Sequence, residues 1–403
     1  MSRRSHRPGA SRRYRRAVRR AAWLIAAVLL LTAACSSGAE TVSGARPSAT
    51  ASGAASLAGI CPETVTIQSN WYAQAEDGAI YRLLGGDLQV DKQRKRVTGS
   101  LVADGVDTGV KLQIRSGGPA NGFVPAASVL YTDPSVLLAT ADTDQVMQLA
   151  STRPVKAVVA PLERSPVVLM FDPAQHSFRT IADIGRTDTR VLYFQGATYM
   201  EHLVDSGQLK RSQVDAGYAG TPDRWVASRG SIVQQGFVTN EVLRYEADPS
   251  VWGKKVDFQL VADSGYPVYP ETLSIRPDRK DELAPCLKKL VPIMQRSDAA
   301  FAKDPSPTSQ FISDLVSKYP KAFPYSKQTA DASVKAMLEN QILGNGRNKA
   351  IGDFDMDRVK KILNIVTPIF AAQKTPVKAG ITADQLVTNE FIDPNIGMDS
   401  GTK

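Results

Sequence analysis

The sequence predicts an α/β fold with largely parallel sheets, and three observations carry that prediction. From residue 64 to about residue 276, short apolar strands alternate with helical stretches. After Pro277 the pattern becomes mainly helical. Between Ile60 and Asn395 lie roughly 335 residues of ordinary globular composition, more than one hydrophobic core usually holds, so two lobes are expected.

The elements follow in order. Residues 65–69, Val-Thr-Ile-Gln-Ser, alternate at period two and read as a first strand, and residues 77–84 can be helical with Ile80, Leu83 and Leu84 on one face. A second alternating strand, 110–114, is stopped by Ser116-Gly117-Gly118-Pro119. Residues 136–139 form a third strand, followed by a helix through Val146, Met147 and Leu149. Strands 155–160 and 167–171 flank a turn punctuated by Pro161 and Pro166. A short helix over 178–184 precedes strand 190–194, and Gln195-Gly196-Ala197-Thr198 turns into a helix carrying Tyr199, Leu203 and Val204. Thr221-Pro222-Asp223 reads as a helix start with Thr221 as N-cap, and 231–238 is a further strand. Val359, Ile362, Leu363, Val366 and Phe370 mark one buried helical face, and Gly344 reads as a helix C-cap. No repeat of fixed period occurs.

The N-terminus carries an address. Residues 1–34 read as a secretory signal: an Arg-dense leader, then an apolar run from Ala21 to Ala34 that is too short for a spanning helix of about 20 residues. Leu31-Thr32-Ala33-Ala34 before Cys35 resembles a bacterial lipobox, with the leucine one place further from the cysteine than usual. That resemblance implies cleavage before Cys35 and a diacylated N-terminus, tethered at the outer face of the cytoplasmic membrane. The arginines at 11–16 fit general secretion at least as well as the twin-arginine route. The formal charge of +9 is carried wholly by the nine arginines of residues 1–34, so the mature chain is neutral and a nucleic-acid partner is set aside. Residues 35–59 hold the lipidated cysteine and a Ser/Ala/Gly-rich stretch expected to be a flexible tether. Cys61 and Cys286 then remain, an even pair in an oxidising compartment: a disulfide, or two buried thiols.

Five motifs fall at strand ends, in order: Asn70-Trp71-Tyr72-Ala73-Gln74-Ala75-Glu76, Gly117-Gly118-Pro119, Phe194-Gln195-Gly196, Gln235-Gly236-Phe237-Val238-Thr239-Asn240-Glu241, and Val261-Ala262-Asp263-Ser264-Gly265-Tyr266. Together, over roughly residues 62–395, they resemble the ABC-transporter substrate-binding proteins of the nitrate/sulfonate/taurine and thiamine-pyrimidine-precursor group. The resemblance implies a two-lobe periplasmic-binding-protein fold of type II, each lobe a small mixed sheet flanked by helices, with the ligand in the cleft between them. Lobe one would comprise 60–161 and the return segment 261–403, and lobe two 162–260. Closure on a small-molecule ligand would present the complex to a membrane permease. A monomer is expected, without metal or cofactor.

In such sheets ligands sit beyond the carboxyl ends of the strands, where these motifs fall. Trp71 and Tyr72 could offer a flat face to a heteroaromatic ring, with Asn70 at its edge, although Trp71 could equally anchor a loop. Glu76 closes the first motif. Gly196, Ala197 and Thr198 open a helix whose free N–H groups suit an anion or a ring acceptor, and Gln195 precedes them. Tyr199 could close over ligand or enter the lobe core. Asn240 and Glu241 form the polar pair of greatest weight: a carboxylate in a closing cleft needs a cation or N–H donors, unless Glu241 pairs with a surface residue such as Arg244. Tyr266 sits on the return crossover, and Asp142 reads as an N-cap rather than a ligand group.

No arginine lies in the five motifs. This favours a neutral or cationic nitrogen heterocycle, such as a thiamine pyrimidine precursor, over a sulfonate, taurine or nitrate. The alternatives are such an anion carrier or a ligand sensor without transport. The segment 87–107, with Lys92, Arg94, Lys95 and Arg96 together, departs from the family spacing and reads as a solvated hairpin, an extended loop or an addition to one cleft wall. An enzyme is disfavoured: only His176 and His202 follow the leader, and no nucleophile elbow, zincin or P-loop motif occurs.

Overall fold

The computed structural model of the chain describes residues 40–43 and 56–398; the leader, Cys35 and most of the expected tether lie outside the described residues. Thirteen strands form two mixed sheets among the described residues. In the first, β1 (Glu40–Ser43), β2 (Thr64–Gln68), β3 (Asp87–Asp91), β4 (Arg96–Ala103), β5 (Val106–Arg115), β6 (Leu138–Ala141), β7 (Lys156–Val159) and the returning β13 (Thr272–Ile275) run in the order β1-β3-β4-β5-β2-β6-β13-β7. In the second, β8 (Val167–Phe171), β9 (Val191–Leu192), β10 (Val214–Asp215), β11 (Val233–Phe237) and β12 (Asp257–Leu260) run in the order β10-β9-β11-β8-β12. The chain passes from the first sheet to the second between β7 and β8 and returns between β12 and β13.

The parallel neighbours β5, β2 and β6, and β10, β9 and β11, fix one carboxyl end in each sheet. Helices cover the faces because the strands alternate. Val168 and Met170 of β8 enter one core and Leu169 and Phe171 the other, so both faces of the second sheet are apolar.

Helix α1 (Gly78–Arg82) is preceded by a 3-10 turn, Ala75–Asp77, so the expected 77–84 helix is shorter and begins earlier as that turn. Helices α2 (Ala126–Thr132) and α3 (Thr143–Leu149) flank β6. Helix α4 (Ile181–Gly185) begins after Thr180, which forms a capping box with Asp183. Helix α5 (Thr198–Asp205) follows the Gly196 turn, and α6 (Asp223–Ala227) starts after Pro222 rather than at it, with Thr221 bonded to the Asp223 side chain instead of capping a backbone N–H. Helix α7 (Glu241–Ala247) leaves β11, and the C-terminal helices are α8 (Lys280–Lys303), α9 (Ser306–Ser317), α10 (Lys327–Glu339), α11 (Met356–Ala372) and the one-turn α12 (Ala383–Leu386). Val359, Ile362, Val366 and Phe370 of α11 are buried in one core, with Leu363 packed at its edge. Gly344 lies beyond α10, whose C-cap is Asn340, because the helix ends five residues after Val334 enters the core and the chain turns inward at Ile342 and Leu343.

Three further features depart from the sequence expectation. Residues 87–107 are neither loop nor isolated hairpin: β3, β4 and β5 extend the first sheet, with Leu88, Val90, Val97 and Leu101 buried. The tether is not wholly structureless, since Glu40–Ser43 pairs antiparallel with β3. The folded body also begins before Ile60, because Leu57 is fully buried and its N–H donates to the Thr108 carbonyl at 2.9 Å. Cys61 and Cys286 are joined by a disulfide, with Cα atoms 4.8 Å apart, tying the lead-in of β2 to α8. Among the described residues, no helix is long and apolar enough to cross a membrane.

Candidate functional site

The first motif leaves the carboxyl end of β2. Ser69 Oγ donates to Asp77 Oδ2 at 2.8 Å, and Asn70 Nδ2 donates to Glu271 Oε1 at 3.2 Å. The Trp71 carbonyl accepts from Gly117 N–H at 2.9 Å, and its ring lies so close over Gly118 that a Cβ there would come within 2.3 Å of it. Gly118 has φ +57°, so bare backbone is required twice over. Trp71 is half-buried, with Phe123 at 6.1 Å between ring centroids, whereas Tyr72 is buried in the first core. Burial pushes the Tyr72 hydroxyl pKa up.

The second sheet contributes its own carboxyl ends. After β9, Gln235 Oε1 accepts from Phe194 N–H at 2.8 Å and fixes the turn in which Gln195 and Gly196 are exposed, Gly196 at φ +87°. Ala197 is the N-cap residue of α5 and makes no side-chain cap. Tyr199 enters the core rather than an open wall, with its buried hydroxyl unpartnered and its pKa raised by burial. After β11, Glu241 is held internally: Oε2 accepts from Phe237 N–H at 2.9 Å and Oε1 from the Tyr218 hydroxyl at 3.2 Å. It makes no ion pair with Arg244 among the described residues, because both carboxylate oxygens are already aimed at these donors. Asn240 precedes α7 with a buried, unpartnered Oδ1.

Contacts join the two sets. Thr239 Oγ1, beyond β11, donates to Glu76 Oε1 at 2.5 Å, and Glu241 is close enough to raise the Glu76 pKa. Tyr266 donates to Asp144 Oδ2 at 2.7 Å, and its ring faces Tyr199 at 6.5 Å and His202 at 5.4 Å. Burial lowers the His202 pKa.

Sequence reasoning missed Glu271 and gave Asp142 only its place at the start of α3. Asp142 occupies the N-cap position of α3 but makes no side-chain cap there; its Oδ1 accepts from Glu271 N–H at 2.8 Å instead, because the return crossover comes within reach. Glu271 has φ +49°, the left-handed region that favours glycine, a strained backbone of the kind that gathers at functional sites. It lies outside every motif, and its only signal in the sequence is an acid directly before an apolar strand, Thr272–Ile275.

Buried Glu76, Asp77 and Asp144 and half-buried Asp142 and Glu271 form an acidic group. Burial, reinforced by neighbouring carboxylates, pushes the Asp77 and Asp142 pKa values up to about 7, and that of Glu271 well above the usual carboxylate range. Burial likewise raises Glu76, Asp144 and Glu241. Glu76 Oε2, Glu271 Oε2 and Asn70 Oδ1 are buried acceptors without a protein donor. Glu76 is only 8 % exposed, so water cannot easily compensate there. Among the described residues no three His, Cys, Asp or Glu side chains converge as metal ligands. The arrangement suits a small molecule that brings N–H donors or positive charge. A separate groove of about 500 Å³, lined in part by Tyr81, Arg82, Val102, Arg296 and Phe311, contains none of these residues.

No family model matches the sequence, and no curated protein is similar to it in sequence. Solved structures do match in shape. The periplasmic aliphatic sulphonate-binding protein of Escherichia coli aligns at TM-score 0.53 and 12% identity, over 85% of this chain and 96% of its own. A periplasmic sulfonate-binding protein of Methylobacillus flagellatus KT aligns at TM-score 0.52 and 12% identity, over 81% and 92%. The ligand-binding component of an ABC-type import system from Staphylococcus aureus, solved with zinc bound, aligns at TM-score 0.51 and 11% identity, over 82% and 98%. At these identities the likeness establishes the fold: two mixed sheets flanked by helices, as in periplasmic binding proteins of type II.

Proposed function

We propose that the chain is an extracytoplasmic substrate-binding lipoprotein, anchored through Cys35, that captures a small nitrogen-bearing ligand between its two lobes and delivers it to an ABC importer. The lobes are taken as 60–161 with 261–403, and 162–260. The fold supports capture by closure, a population shift that needs no covalent step. The signal and lipobox at the N-terminus support the location.

One observation carries the ligand class: once ionised, the carboxyls of Glu76 and Glu271 join Asn70 in presenting buried acceptor atoms that have no protein donor. Their charged neighbours are other carboxylates. Ligand N–H donors or a cationic ring would satisfy them, whereas a sulfonate or nitrate would add repulsion. A neutral or cationic nitrogen heterocycle, with an aminopyrimidine of the thiamine-precursor kind as the leading candidate, fits this chemistry with Trp71 as the flat contact. Asn240, Glu241, Gln195, Gly196, Ala197, Thr198 and Tyr266 complete the wall, Glu241 by bracing Tyr218 and the Phe237 backbone.

A thermal-shift screen of the chain with thiamine, aminopyrimidines, other nitrogen heterocycles, taurine, alkanesulfonates and nitrate tests this reading. Binding to the native state alone adds about 2.7 kcal/mol at ligand 100 times Kd. Stabilisation by heterocycles supports the assignment; stabilisation by a sulfonate alone keeps the carrier and removes its ligand class.

A further inference from the structure

The turn between β3 and β4 places Lys92, Arg94, Lys95 and Arg96 together, against Asp91 as the one acid of that stretch. Asp91 takes both Arg94 at 3.3 Å and Arg96 at 3.2 Å, which holds its carboxyl below the usual range; one carboxylate against these two cations and Lys95 leaves a net positive charge. Gln93 and Arg94 are exposed, with the Arg94 side chain at 73 %. In a mature chain of no net charge, this is a concentrated basic patch.

Two placements give the patch a direction. Arg96 pairs with Arg115 at the carboxyl end of β5, and the Lys95 carbonyl accepts from Ser116 N–H at 3.0 Å, directly before the Gly117-Gly118 pair beneath Trp71. The turn therefore stands beside the rim of the candidate site. Secondly, β1 runs antiparallel to β3 with Glu40 opposite Val90 and Ser43 opposite Asp87, so the chain enters β1 from the end of β3 that carries the turn. Cys35 precedes Glu40 by five residues, a length that spans at most about 18 Å fully extended.

We infer that the basic turn at residues 92–96 is a membrane-facing contact for anionic lipid headgroups, which orients the rim of the binding site toward the bilayer. Its occupant is a lipid surface rather than a protein because the strand that pairs with β3 is the one that follows the lipid-bearing cysteine. A doubly acylated cysteine is anchored without help, so the turn sets orientation rather than attachment. Each Lys or Arg near an anionic surface contributes about 1 kcal/mol, roughly five-fold in partitioning, within a Debye length. The inference rests on the extracytoplasmic reading for the presence of a membrane, but not on the ligand or the permease.

The test is co-sedimentation of the unacylated mature chain with phosphatidylcholine vesicles, with and without phosphatidylglycerol, at low and physiological salt. Wild type is expected to associate with the anionic vesicles only, and less as salt rises. The double variant Arg94→Gln/Lys95→Gln should lose roughly 25-fold in partitioning while melting at the wild-type temperature. No preference for anionic vesicles, or equal partitioning of the double variant, overturns the inference. Association that appears only when the vesicles carry an importer also overturns it and assigns the turn to a protein partner. Because the readout needs no ligand, its failure and that of the ligand assignment are separately visible.

Discussion

Asn70 and Glu271 are 201 residues apart in sequence and hydrogen-bonded at 3.2 Å in the fold, Asn70 Nδ2 donating to Glu271 Oε1. The bond ties the exit of β2 to the crossover that returns the chain to the first sheet. It also fixes the Asn70 amide, while Asn70 Oδ1 and Glu271 Oε2 have no protein donor. The strained backbone at Glu271, φ +49°, holds the carboxylate where burial opposes its charge.

Glu271→Gln should therefore weaken a cationic or N–H-donating ligand by about 10- to 100-fold, the worth of a hydrogen bond to a charged group. The unliganded variant should melt no lower than wild type, since a buried carboxylate has been replaced by an isosteric amide. Isothermal titration and melting of the same preparation read both outcomes.

The buried acids set a pH dependence. Asp77 and Asp142 titrate near 7 in the fold and near 4 when unfolded, so between about pH 4 and 7 the native state holds protons that the unfolded chain has lost. Stability of the unliganded chain should fall as pH rises through that window. A cationic ligand favours the ionised acids, so its affinity should rise over the same interval and binding should release protons. Melting from pH 5 to 7.5 and titration in buffers of different ionisation enthalpy check the two signs.

The Cys61–Cys286 bridge closes a separation of 225 residues. In the chain-entropy model such a closure contributes at most about 5 kcal/mol. Cys61→Ser/Cys286→Ser should melt lower by an amount within that bound and still bind ligand, since the bridge joins the lead-in of β2 to α8 and not the carboxyl end of a strand. Melting with and without reductant separates the bridge from the substitutions.

Gly118→Ala should cost about 1–3 kcal/mol, because the residue sits at φ +57° and its new Cβ would strike the Trp71 ring. Displacement of that ring should also change its fluorescence and its response to ligand. Gly105→Ala, also at positive φ but with open space around it, isolates the backbone contribution from the clash.

Much of the fold was legible because its signals are local. Period-two runs marked β2 and β5, short strand-like runs marked β8 and β11, and the spacing of Val359, Ile362, Val366 and Phe370 marked the buried face of α11. The second sheet's loops were visible for the same reason: glycine at Gly196 and the acid at Glu241 each stand at a strand end. What was not legible depends on pairing across the chain. Residues 87–107 carry buried positions such as Leu88 and Val97, but only the partner strand shows that they widen a sheet. Glu271 owes its place to Asn70 and Asp142, which approach it only once β13 has inserted between β6 and β7. Tyr199 shows the converse: its helix position was clear, but the side it presents is decided by Tyr266 and the core beneath.

The central claim is that the acceptors of Asn70, Glu76 and Glu271 hold a nitrogen-bearing ligand. The most direct measurement is titration of an aminopyrimidine and an alkanesulfonate into wild type and Glu271→Gln at pH 7.5. The account predicts that wild type binds the aminopyrimidine and not the sulfonate, with affinity falling in the variant. Sulfonate binding that is unchanged or strengthened in Glu271→Gln would contradict it.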